Sequence, residues 1–117
     1  MSEMKHLLFS TDLSEESWAA FSRVIEMSRR KGFVVLILHV AAKRAKGLED
    51  RLERFARPAI DRGVEVEPLV LEHSDALWTI LEVARWRGCD AIAAVEGELA
   101  DALRRSTRLP VWPIKKR

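Results

Sequence analysis

The chain has one cysteine, Cys89, and no tyrosine. A single thiol forbids an internal disulfide and any cysteine-built metal cluster. Cys89 stands just ahead of an apolar stretch and reads as a small packed residue rather than a reactive thiol. No apolar run approaches the roughly 20 residues a membrane helix needs. Met1–Lys5 lacks the apolar h-region of a signal peptide. The expectation is a cytoplasmic protein with no membrane partner. The glycines form neither G-x-G-x-x-G after the first apolar run nor G-x-x-x-x-G-K-[ST], which argues against a dinucleotide Rossmann domain and a P-loop NTPase. Net charge is only +2, too small to argue for nucleic acid. Basic residues at 43–46 and 115–117 are joined by no aromatic-and-basic sheet surface. No G-x-S-x-G elbow and no nucleophile–base pair stands out, so no catalytic residue is assigned. His39, Glu72, His73, Glu96 and Glu98 fall near predicted strand ends and, with Asp12, give an acidic rim. No two of them share a recognised metal spacing, so no metal is expected.

What is present is organised by Lys5–Ser14. The apolar run Leu7–Phe9 stops at Ser10-Thr11-Asp12, and a helical pattern starts at once, as when a buried parallel strand hands over to its crossover helix. Ser14 is a candidate N-cap; Trp18, Phe21, Ile25 and Ser28, with Val24 alongside, mark the buried stripe; Gly32 ends the helix. A second strand is predicted over 33–40, apolar on both faces and therefore central. A second helix follows over about 48–62, with Pro58 expected to kink it or end it early. The third strand, 64–71, alternates at its start, as a strand near an edge would. Ser74 is the expected cap of a third helix, with Leu77, Ile80, Leu81 and Ala84 facing in. A short fourth strand spans 90–95. A fourth helix spans about 99–107 with Leu99, Ala102 and Leu103 facing in, and 110–114 is a last extended piece. Alternating strands and helices mean a parallel sheet covered on both faces, with few topologies allowed by right-handed crossovers.

These residues resemble the universal stress proteins. The resemblance rests on Leu7-Leu-Phe-Ser-Thr-Asp-Leu-Ser14, Leu36-Ile-Leu-His-Val40 and Gly63-Val-Glu-Val-Glu-Pro. It continues through Ile80-Leu-Glu-Val-Ala, Gly88-Cys-Asp-Ala-Ile and Leu109-Pro-Val-Trp. It implies an α/β three-layer sandwich, one domain over 1–117, with a five-stranded parallel sheet in the order 3-2-1-4-5. It also implies dimers, often through the fifth strands, which points to Val111, Trp112 and Ile114 as a homodimer seam. Pro113 lacks an N–H and limits backbone pairing there. Nucleotide-binding members hold ATP on a Thr-Asp after the first strand, a Val at the end of the second, and Gly-x2-Gly-x9-Gly-Ser/Thr after the fourth. Thr11, Asp12 and Val40 match the first two pieces. The glycine motif, which brings backbone N–H groups and a helix N-terminus to the phosphates, is absent. Residues 96–109 hold Gly97 as their only glycine, and Glu96, Glu98 and Asp101 stand where phosphates would rest.

The expected function is therefore a non-catalytic regulatory or partner-binding module that needs no cofactor. The alternative is an adenosine, AMP or ATP binder using Thr11, Asp12 and Val40. Asp12 also reads as a turn residue whose carboxylate accepts backbone N–H bonds. Trp78 and Trp86 lie beside the main stripe of the third helix. They are expected either to pack under a neighbouring helix or the tail, or to form an exposed strip for a partner protein.

Overall fold

A computed structural model describes residues 5–115. The strands are β1 (His6–Ser10), β2 (Val34–Ala41), β3 (Val66–Glu72), β4 (Ala91–Val95) and β5 (Val111–Ile114). The helices are α1 (Glu15–Lys31), α2 (Leu48–Asp61), α3 (Ala76–Trp86) and α4 (Glu98–Ser106). The five strands are all parallel, in the order β3-β2-β1-β4-β5. Successive residues of β1 face opposite sides of the sheet, as the two-residue strand period requires. Leu7 and Phe9 join the core under α1 and α2, while Leu8 joins Leu36, Ile80, Ile92 and Leu103 under α3 and α4. Phe9, Phe21 and Phe55 stack with centroids 4.9 to 6.4 Å apart, tying β1, α1 and α2 together.

Several local expectations are corrected. The α1 stripe is Ser17, Ala20, Phe21, Val24, Ile25 and Ser28. Trp18 lies outside it, 47% exposed, with its ring edge-on to Phe55. Ser17 takes the inward place because its hydroxyl meets that of buried Thr11. Pro58 does not end α2, which continues to Asp61 before Arg62 N–H closes onto the carbonyls of Pro58 and Ala59. β3 starts at Val66, not Val64, because Val64 N–H is spent on the Ala59 carbonyl at the end of α2. Asp75, not Ser74, caps α3, accepting Trp78 N–H at 3.0 Å. Thr79, Ile80, Val83 and Ala84 are the buried residues of α3, and Leu77 and Leu81 pack only partly against that core. In α4, Ala100 and Leu103 are buried, whereas Leu99 is exposed.

Candidate functional site: the crevice at the strand ends

Parallel sheets of this kind open a crevice beyond the carboxyl ends of their strands where the strand order reverses. Here that point lies between β1 and β4. The turn after β1 is built by its own side chains. Thr11 N–H continues the ladder onto the Leu38 carbonyl at 2.9 Å. The Thr11 hydroxyl accepts Leu13 N–H at 3.0 Å and shares a 2.5 Å hydrogen bond with Ser17. Asp12 Oδ1 accepts Ser14 N–H at 2.9 Å, and Ser14 Oγ accepts Ser17 N–H, so two short polar residues guide the chain into α1. From β2, His39 Nδ1–H donates to the Thr11 carbonyl at 2.8 Å. The turn is thus held from two sides.

A cavity of about 280 Å³ opens beside this turn. Thr11, Asp12 and Val40, the three residues matched by resemblance, all line it. Gly97 closes the far side at the start of α4, with φ +148° and ψ −164°, a conformation essentially reserved for glycine. The carboxylate-bearing residues in the lining are Asp12, Glu16, Glu96 and Glu98, and no Lys or Arg joins them among the described residues. Glu72 and His73, expected to share this rim, lie elsewhere: they line a groove beside α3. Asp101 and the arginines of α4 do not line the cavity either. Among the described residues, no group of three His, Cys, Asp or Glu could hold a metal ion.

No protein-family model matches the sequence, and no curated protein is significantly similar to it. Solved structures do match. A universal stress protein family member from Burkholderia pseudomallei aligns over 97% of this chain and 98% of its own, with TM-score 0.82 and 20% identity. The chain has the fold of the universal stress proteins. A universal stress protein solved in complex with cAMP aligns over 99% of this chain and 100% of its own, with TM-score 0.84 and 15% identity. One from Archaeoglobus fulgidus solved with dAMP aligns over 98% and 100%, with TM-score 0.79 and 18% identity. The universal stress fold explains why a short turn, a strand end and a helix start converge on one crevice.

The last strand is only partly exposed at Val111, Trp112 and Ile114. Trp112 stacks on Phe33 at 6.0 Å, so one face of its ring is already occupied within the chain. Trp112 and Ile114 pack toward α1 and α2, and Val111 toward α3 and α4. Ile92 and Glu96 donate to the carbonyls of Pro110 and Ile114, so even-numbered residues of β5 turn their backbone groups to β4. Pro113 therefore faces outward. Trp78 and Trp86, for which burial was one expectation, are 52% and 77% exposed.

Among the described residues no helix is long and apolar enough to cross a membrane. The feature that sequence reasoning missed is Glu16. It lies one helical turn beyond the matched Thr-Asp yet reaches the same cavity. Its place at the start of a helix following a strand end was the available signal.

Proposed function

We propose that this protein is a non-catalytic regulatory or partner-binding module on the universal stress fold whose crevice rejects nucleoside triphosphates. The observation that carries this reading is the crevice lining, where Asp12, Glu96 and Glu98 bear carboxylates and no Lys or Arg stands among the described lining residues. Two like charges 4 Å apart repel by about 1 kcal/mol in water and more beside a protein wall. A triphosphate brings several such contacts at once, and a one-glycine turn leaves few backbone N–H groups to offset them. The seam of a homodimer, in this proposal, is made by the side chains of Val111, Trp112 and Ile114 rather than by strand pairing.

A second reading has its own support. Thr11, Asp12 and Val40 line a cavity of about 280 Å³, and neighbours of the same fold were solved with cAMP and dAMP. A neutral nucleoside would meet the cavity without the charge conflict. Titration calorimetry with adenosine, AMP and ATP orders the two readings. The first expects no heat from ATP at micromolar concentrations. Micromolar ATP binding abolished by Asp12→Ala would replace it.

A further inference from the structure

Among the described residues the most exposed aromatics, Trp86 and Trp78, lie outside the crevice lining. Trp78 and Trp86 flank an open groove of about 670 Å³ between α3 and the end of β3, floored by Leu71 and Val83. Exposed tryptophans grouped in this way mark interaction surfaces far more often than isolated apolar residues do. The groove is held in shape. His73 stacks on the Trp78 indole at 4.8 Å, and His73 Nδ1 accepts Asp75 N–H at 2.9 Å. Asp75 in turn caps α3 at Trp78. An indole fixed before binding loses less freedom when it is covered.

Charge and backbone indicate the occupant. Glu72 and Glu82 line the groove with one arginine, Arg85, among the described residues; Glu82 is paired to Arg85 at 2.9 Å, and the Glu72 carboxylate accepts Arg44 N–H at 2.7 Å. Indole faces attract cations, and the local charge adds to that attraction. β3 is an edge strand. Val35 donates to the Glu65 carbonyl and His73 donates to Ala41, so odd-numbered residues of β3 face β2 and even-numbered ones face outward. Pro68 offers no outward N–H, which leaves the half at Val70 and Glu72, beside the groove, as the pairing edge. Trp78 and Trp86 are eight residues apart, about 12 Å along a helix. Side chains four residues apart on an extended strand are about 13 Å apart. Resting on the reading of a partner-binding module, the geometry points to an extended segment of a partner protein that pairs with the end of β3 and lays two cationic side chains, four residues apart, over Trp78 and Trp86.

The test uses two peptides, acetyl-Arg-Val-Thr-Val-Arg-amide and acetyl-Glu-Val-Thr-Val-Glu-amide, titrated into the full chain while the four indole N–H signals are followed by NMR. The arginine peptide is expected to shift the signals of Trp78 and Trp86 and to bind at least ten-fold tighter than the glutamate peptide. Trp86→Ala, at a site exposed enough to leave folding intact, and Trp78→Ala are each expected to weaken it at least five-fold. Equal affinity for the two peptides, or unchanged affinity in both variants, overturns the proposal. So does a dimer, seen by sedimentation, that Trp86→Ala dissolves, because a second copy then owns the groove. The peptides do not probe the crevice, so ATP binding there would sink the functional reading while leaving this result to stand or fall alone.

Discussion

Residue 97 accepts little but glycine. Its φ of +148° lies where L side chains rarely go, although a Cβ there would meet no atom within 4 Å. The cost of a substitution is therefore conformational rather than steric. Gly97→Ala is expected to lower stability by about 1–3 kcal/mol in urea denaturation; an unchanged midpoint would contradict the conformation. Cys89 makes the opposite kind of statement. Burial pushes its thiol above its ordinary value, and the thiolate is the reactive form. Iodoacetamide at pH 8 should label the native protein at least ten-fold more slowly than the urea-unfolded chain, as followed by mass spectrometry; equal rates would deny the burial. The sequence was legible at Cys89, Gly32 and Ser14, where one local rule decides the outcome. It misled at Trp18 and Leu99, because helical spacing marks a stripe but not which residue wins its margin. Ser17 won through a hydrogen bond to Thr11, and the buried face of α4 runs through Ala100 and Leu103, which leaves Leu99 outside it.

At the scale of elements, the sheet carries a proline on each edge strand, Pro68 in β3 and Pro113 in β5. In both, the missing N–H is on the outward side. Prolines placed this way blunt edges against pairing with other chains. Pro113→Val restores an outward donor and should raise the self-associated fraction in sedimentation velocity; no change would mean that the edge is blocked by something else. The Glu67–Arg87 ion pair ties the start of β3 to the end of α3. The hydrogen bond from Arg87 holds the Glu67 carboxyl below its ordinary value. A depressed carboxyl stabilises the fold above its unfolded pKa, and that contribution is lost as pH falls through the folded one. Both groups are partly exposed, so the effect is at most about 1 kcal/mol. Arg87→Ala should narrow the stability difference between pH 6 and pH 3 by about that amount; an unchanged difference would show the pair to be ornamental. A parallel sheet with helices on both faces was legible from the alternation of apolar runs and helical stripes along the chain, whereas the strand order came from the resemblance to the universal stress proteins. Element ends were less legible. At β3 and α3, neighbouring cap-type residues and helix-end hydrogen bonds shift the boundary by one or two positions.

For the whole molecule, a shared fold is not a shared site. Thr11, Asp12 and Val40 line one cavity, and Glu16, Glu96 and Glu98 line it with them. The missing glycine motif was readable in the sequence because it is an absence within a short, countable stretch. The separation of Glu72 and His73 from the crevice was not, because strand-end residues look alike until the strand order places them at the edge or the centre. The most direct measurement soaks crystals of the unmodified protein in magnesium ATP. The account predicts no ordered triphosphate against Gly97 and Glu98. A triphosphate lying in density at that turn would contradict it.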